Sequence, residues 1–377
     1  MEMRKVVIAG AARTAMGGFQ GVFSGIAAAE LGGAAIRAAL TGISTDLVEE
    51  GLMGCVLPAG QGQAPARQAG FAAGLSQSVP ATTLNKMCGS GMKAAMIAHD
   101  QIALGNTGVM VAGGMESMSG APYLLPKMRG GARLGHSTVI DHMFLDGLED
   151  AYDKGRLMGT FAEDCAQRFQ FTREAQDGYA LASLSRALQA QASGALVAEI
   201  VPFTVQGRNG ETVVSADEQP AKARPEKIPL LKPAFRHDGT VTAANSSSIS
   251  DGAAALVLAS EQAAREKGLT VRAYIRSHAS HAHAPADFPT APVPAARKLL
   301  AHLGWTVEDV DLWEVNEAFA VVPMAFMKEL NIPHSKVNVN GGACALGHPI
   351  GASGARIIVT LLHALEHRGL KRGVAAI

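Results

Sequence analysis

Leu84-Asn85-Lys86-Met87-Cys88-Gly89-Ser90-Gly91-Met92-Lys93-Ala94-Ala95 is the stretch around which the chain is organised. Extended residues Val79 to Leu84 lead into it, and the apolar run Met92 to Leu104 leads out. That order predicts a strand, a tight turn carrying a cysteine, and a helix with so little polar face that it is buried. The small residues Gly89, Ser90 and Gly91 let backbone or ligand come close to the sulfur. A helix N-terminus offers unpaired N–H groups and positive potential, so Cys88 is expected to favour its thiolate. Read alone, a free cysteine is more often a small buried hydrophobe. The rest of the chain has to decide.

At 377 residues the chain can bury a large core and hold two or more domains. Its formal charge is zero and its pI near neutral, which points away from nucleic acid and from anionic membranes. No run reaches the roughly 18 apolar residues of a membrane span. Val6-Val7-Ile8-Ala9 follows almost directly on the first residue, with no apolar signal segment, so a cytoplasmic protein is expected. Cys55, Cys88, Cys165 and Cys344 are widely spaced, which indicates neither a disulfide framework nor a cysteine zinc site, and no metal is expected.

Strand-like and helix-like runs alternate from the start. Arg4–Ala9 reads as a strand, 10–20 as a loop, 27–40 as a helix, and Val48–Val56 and Thr82–Leu84 as strands bracketing a helix over 64–73. After the Cys88 helix come the strand Val109–Ala112 and a turn at Gly113-Gly114. Alternation of this kind argues an α/β sheet with helices on its faces. The pattern breaks between about Met118 and Ser248, a Gly-, Pro- and charge-rich region with one clear helix, 172–194. It reads as an inserted loop domain over the site. Its cations Lys127, Arg129, Arg133, Lys222, Arg224, Lys227 and Lys232 could meet phosphates, though a solvated surface explains most of them. The apolar strand Ala253–Leu258 would finish the first sheet.

The second half then repeats the first: strand 271–275, helix 293–303, strand 310–315, helix 318–330, then 336–339 leading into a Gly-rich turn and the helix 352–369, with a strand beginning at 374–377. A duplicated α/β unit whose two central helices meet is the simplest arrangement. The expected divisions are 1–118 with 249–270, the loop domain 119–248, and a second half 271–377. In Trp313-Glu314-Val315-Asn316-Glu317-Ala318-Phe319, Asn316 and Glu317 stand at a strand-to-helix junction, where such residues also serve as caps. In Gly341 to Gly354 five glycines surround one histidine, His348, followed by Pro349. A core histidine rarely needs so much backbone clearance. Cys344, amid small residues, reads as packing.

Taken together, Ala11-Ala12-Arg13-Thr14, Asn85–Ala95, Gly113–Met118, Asn316–Phe319 and Gly341–Gly354 resemble the thiolase family, in its acetyl-CoA acetyltransferase branch, from Val6 to the last residue. The resemblance implies a five-layered αβαβα fold of two similar halves with a loop domain, acting as a homodimer or homotetramer. It implies an acyltransferase on acetyl-CoA, 3-ketoacyl-CoA and coenzyme A, with no separate cofactor. By the same resemblance Cys88 is the acyl-accepting nucleophile and its backbone N–H serves an oxyanion hole. His348 is the base and a donor to another oxyanion hole, and Asn316 holds the water that completes it. Ser247 contacts pantetheine, and Leu148, Met158, Ala318 and Phe319 line the pantetheine tunnel or its end.

The chemistry fits those residue types. A thioester calls for a soft nucleophile that is also a good leaving group, and a neutral imidazole can take its proton and return it. The sequence also departs from the family. Leu157 stands before Met158-Gly159-Thr160 where acetoacetyl-type members commonly have His, which opens the acyl-chain preference. Ala244, Ser246, Ser248 and Ser250 differ from the usual small-residue run. The family's Cys-x-Gly-Gly-Gly motif, source of the α-proton base and a further oxyanion donor, should follow Ile377, so the natural chain is expected to continue. The alternatives are a 3-ketoacyl-CoA thiolase of longer-chain or degradative specificity, or an impaired acyl-CoA-binding protein. A ketoacyl synthase is disfavoured by Asn316-Glu317-Ala318-Phe319.

Overall fold

The computed structural model describes residues 3–207 and 210–377. In chain order the elements that build the site are β1 Val6–Thr14, α1 Ala28–Ala39, β2 Glu50–Gly54, α2 Pro65–Ala72, β3 Ala81–Leu84, α3 Ser90–Leu104 and β4 Val109–Ser117. There follow α4 Met158–Phe169, α5 Arg173–Ala192, β5 Ser250–Ser260, β6 Ala273–Ile275, α6 Pro292–Leu303, β7 Leu312–Val315, α7 Val321–Leu330, α8 Ile350–Arg368 and β8 Gly373–Ala376.

The larger sheet runs β6-β1-β5-β4-β2-β3, with the short strands Gly17–Gly18 and Ile200–Val201 off that path. β4 is parallel to β2 and β2 to β3, while β5 is antiparallel to both β1 and β4. β4 and β5 are buried along their whole lengths, so they read as continuous apolar runs rather than alternating ones. α1 and α2 cover one face of this sheet. α3 and α8 cover the other and separate it from the second sheet, where β7 and β8 pair in parallel. α6 and α7 lie beyond that sheet, which completes five layers, αβαβα. Among the described residues no helix is long and apolar enough to cross a membrane.

The two central helices meet as the repeat implied, and they meet through glycine. A Cβ on Gly91 of α3 would stand 2.7 Å from the Ala355 backbone nitrogen, and one on Gly354 of α8 would stand 2.5 Å from that of Met92. No larger residue permits this spacing, and the spacing is what brings the starts of the two helices together. Arg13, fully buried, binds Glu199 at 2.6 Å and both carboxylate oxygens of Asp217 at 2.6 and 2.9 Å. That ties the inserted region to β1.

Several expectations are corrected. Gly113-Gly114 is no turn: both glycines lie inside β4, and a Cβ on Gly114 would stand 2.1 Å from the Gly351 carbonyl oxygen. The residues are small so that α8 can seat on the strand. β1 runs on to Thr14, because β5 pairs with it as far as Arg13. The strand expected to open the second half is shorter and pairs antiparallel with β1, at the edge of the first sheet. Residues 336–339, which lead into the Gly-rich turn, contribute one bridge, Trp313 to Val337. The inserted region also holds α4 and the hairpin Phe203–Gly207 with Gly210–Val214. α4 lacks a capping side chain at Leu157, so nothing in the local sequence marks its start.

Candidate active site

The turn at the nucleophile is held by its own polar groups. Asn85 Oδ1 accepts from the Met87 N–H at 2.9 Å, and Ser90 Oγ accepts from the Lys86 N–H at 2.8 Å while donating to the Met87 carbonyl at 2.6 Å. Met87, just before the cysteine, has φ of 49°, a strained conformation for a side-chain-bearing residue. The chain thus reverses from β3 into α3 within a few residues and leaves Cys88 partly exposed at the helix base.

Opposite it, Gly347 has φ of 110°, and the next residue, His348, donates its backbone N–H toward the Ser248 carbonyl and Ser250 Oγ at 3.1 and 3.2 Å. His348 Nε2 lies 3.1 Å from Cys88 Sγ. Nδ1 lies 2.5 Å from Ser353 Oγ, whose own proton goes to the Pro349 carbonyl at 3.0 Å. A hydroxyl has one proton to give. Ser353 therefore accepts from Nδ1–H, and Nε2 keeps its lone pair toward the thiol. Asn316 Nδ2 is 3.5 Å from the same Nε2, its backbone N–H is bound to the Ala376 carbonyl at 2.9 Å, and its Oδ1 is buried without a partner among the described residues.

Burial sets the electrostatics. It pushes the Cys88 thiol up to about 11, with the Glu116 charge adding to it. It lowers His348 to about 3, helped by the positive charge of Arg356. The resting pair is accordingly thiol and neutral imidazole. The thiolate expected from the helix terminus is overturned: α3 begins only at Ser90, and desolvation of the sulfur outweighs the field of that terminus.

Two buried carboxylates brace the site. Glu116 accepts from the N–H groups of Val56, Leu57 and Gly351 at 2.9, 3.1 and 2.9 Å, pinning the loop after β2 to the start of α8. Burial raises it to about 7. Glu317 accepts from Tyr179 and Ser183 hydroxyls, Asn338 Nδ2 and the Cys344 N–H, at 2.7 to 3.0 Å. Neither Asn316 nor Glu317 is a cap, since α7 starts four residues later behind Ala320. Cys344 faces the Glu317 carbonyl, and burial holds its thiol well above the ordinary range.

Of the remaining sequence candidates, Leu148 joins the apolar cluster that contains Cys88, Ile350 and Met143. Ser247 donates both its hydroxyl and its N–H to the Ala318 carbonyl, at 2.9 and 3.0 Å. Phe319 packs against Phe235 and Phe288 with ring centroids 5.9 and 6.3 Å apart, and Met158 packs on the same cluster. The candidates thus fall into a group at the sulfur and a group along Ser247–Phe319. Sequence reasoning missed Ser353; its only signal is a hydroxyl one turn after Pro349. Of the loop-domain cations, Lys222 pairs with Glu218, and all seven are exposed.

The chain matches the family "Thiolase, N-terminal domain" over residues 6–262 and "Thiolase, C-terminal domain" over 269–377. It is 52% identical over 380 residues to acetyl-CoA acetyltransferase 2 of Arabidopsis thaliana, covering 99% of this chain and 94% of that one. It is 49% identical over 379 residues to the acetyl-CoA acetyltransferase of Pseudomonas aeruginosa, covering 100% and 96%. The crystal structure of the Bacillus anthracis acetyl-CoA acetyltransferase superposes with a TM-score of 0.96 at 43% identity, over 99% of this chain and 95% of that one. With both halves matched and relatives about half identical from end to end, the chain belongs to the thiolase family.

Proposed function

We infer that the protein is an acetyl-CoA C-acetyltransferase, interconverting two acetyl-CoA with acetoacetyl-CoA and coenzyme A through an acyl group on Cys88. The observation that carries this reading is the Cys88–His348–Ser353 alignment, set in a chain half identical to proteins named acetyl-CoA acetyltransferase. As Cys88 Sγ attacks the thioester carbonyl carbon, its proton passes to His348 Nε2, and a C–S bond forms as the carbonyl oxygen becomes an oxyanion. Collapse of that intermediate expels the coenzyme A sulfur, which takes the proton back from Nε2. Because thiol and imidazole are both neutral at rest, proton transfer accompanies attack rather than preceding it. Asn316, beside Nε2, fits the family role of holding a water at the oxyanion, where one donor is worth roughly 10²–10³ in rate.

In the second half-reaction another acetyl-CoA gives up an α-proton, its α-carbon attacks the acyl carbonyl carbon, and the C–S bond to Cys88 breaks; the released α-proton balances the Cys88 thiol that is regenerated. The family pattern gives the α-proton to the cysteine of Cys-x-Gly-Gly-Gly. Ile377 lies beside Gly89, next to the nucleophile. Ser247, Ala318, Phe319 and Met158 are the proposed pantetheine contacts, and Leu148 closes the site near the sulfur. The edge strand β3, beside the nucleophile, supports pairing with a second copy, and so a homodimer or homotetramer. The domain division 1–118 with 249–270, 119–248 and 271–377 belongs to the same reading, as do a cytoplasmic setting and a place in fatty acid metabolism. Peptide mass spectrometry after incubation with labelled acetyl-CoA tests it: label is expected on Cys88, and label on Cys344 or Cys165 overturns it.

A further inference from the structure

Away from Cys88, the far end of the nucleophile helix carries a second convergence of chemically capable groups. His99 Nδ1 lies 3.1 Å from Asp100 Oδ1, and His278 Nε2 approaches the same oxygen at 2.7 Å. The two rings meet edge to face with centroids 5.1 Å apart. One atom from each of the three side chains lies within 4.8 Å of the others. His99 and Asp100 belong to α3, while His278 follows β6, so the group joins parts of the chain 178 residues apart. We propose that His99, Asp100 and His278 form a binding site for one divalent transition-metal ion of the zinc class, clasping α3 to the segment after β6.

Two imidazoles and one carboxylate make a donor set that suits zinc and its neighbours rather than calcium or magnesium, which take oxygen ligands. Tetrahedral bonds of about 2.0–2.1 Å place ligand atoms roughly 3.3 Å apart. The two distances to Asp100 Oδ1, 2.7 and 3.1 Å, need about 0.6 and 0.2 Å of opening, and the two ring nitrogens lie within 4.8 Å of each other, so small side-chain rotations bring all three atoms to the ion. A carboxylate accepts only, so in the metal-free state both rings donate N–H to Oδ1. On binding, each neutral ring carries its proton on the other nitrogen, and the lone pairs turn to the ion. The Asp100 side chain is 49% exposed, which leaves room for water to complete the shell. The His99 and His278 side chains, at 16% and 26%, are held firmly enough to be presented together. The site shares no residue with the acyl-transfer machinery and does not depend on the proposed activity.

The test is equilibrium dialysis of the protein against zinc chloride, with Asp100→Asn and His278→Ala alongside. One zinc per chain is expected, with affinity lower by about tenfold or more in each variant. Zinc should raise the thermal unfolding midpoint of the wild type and not that of His278→Ala. Cobalt(II) in place of zinc reports the donors, since a nitrogen and oxygen site lacks the near-ultraviolet thiolate band that Cys88 would produce. A wild-type circular dichroism spectrum and a cooperative thermal transition in both variants show that they fold, and His99→Gln replaces either one that does not. Equal zinc retention by the variants, a thiolate band, or no ion held below millimolar zinc overturns the proposal.

Discussion

Ser353 Oγ stands 2.5 Å from His348 Nδ1 and sends its own proton to the Pro349 carbonyl, so one hydroxyl decides which nitrogen of the imidazole faces Cys88. Ser353 is a positioning residue and acts through the tautomer. Ser353→Ala should lower kcat roughly ten- to hundredfold, a part of the 10²–10⁴ that general base catalysis contributes, with KM little changed. Ser353→Thr should recover most of the loss. Pre-steady-state acylation measures the effect, and a change confined to KM would contradict it.

His348→Ala removes the acceptor itself. Acylation of Cys88 should fall by about 10²–10⁴, while coenzyme A binding, followed by calorimetry, persists. Unchanged acyl transfer would rule the role out.

The neutral resting pair has a pH signature. With the thiol pushed up to about 11 and the imidazole down to about 3, raising the pH from 7 to 10 populates thiolate steadily while His348 does not titrate. Iodoacetamide alkylation of the free enzyme should therefore climb about tenfold per pH unit over that range. A plateau reached below pH 8 would mean a preformed thiolate–imidazolium pair.

Gly354→Ala places a methyl group where α8 touches the Met92 nitrogen, at 2.5 Å. The clash should cost ~1–3 kcal/mol and lower the unfolding midpoint by a few degrees. Because Cys88 and His348 stand just before the starts of α3 and α8, acylation should slow as well. Calorimetry showing wild-type stability would mean the helices yield without strain.

Leu157, the residue before α4, puts an apolar side chain where the family resemblance implies a histidine. Its acyl preference should be broader than strict acetoacetyl-CoA, by a graded margin of ~1–3 kcal/mol per methylene. Comparing kcat/KM for C4, C6 and C8 3-ketoacyl-CoAs in wild type and Leu157→His measures this. Matching profiles would remove Leu157 from chain-length selection.

Much of this protein is written in short stretches of sequence. Cys88 between a strand and a helix, His348 among five glycines and the repeated α/β order all depend on local rules: propensity, periodicity and the space a glycine leaves. Those rules sufficed for the repeated α/β order with two central helices, while the five layers came from the family resemblance. They failed wherever the deciding neighbour is far away in the chain. Gly113-Gly114 looks like a turn until α8 is laid across β4, and residues 273–275 look like the start of a second sheet until β1 offers them an edge. Cys88 looks like a thiolate until the apolar cluster of Leu148 and Ile350 packs against it and desolvation raises its thiol. The tautomer of His348, the bracing by Glu116 and Glu317, and the meeting of His99 with His278 rest on contacts spanning from a few residues to more than two hundred. Sequence fixes which side chains are present and how each segment prefers to fold. Packing alone determines which charges are desolvated, which lone pairs are free and which atoms meet.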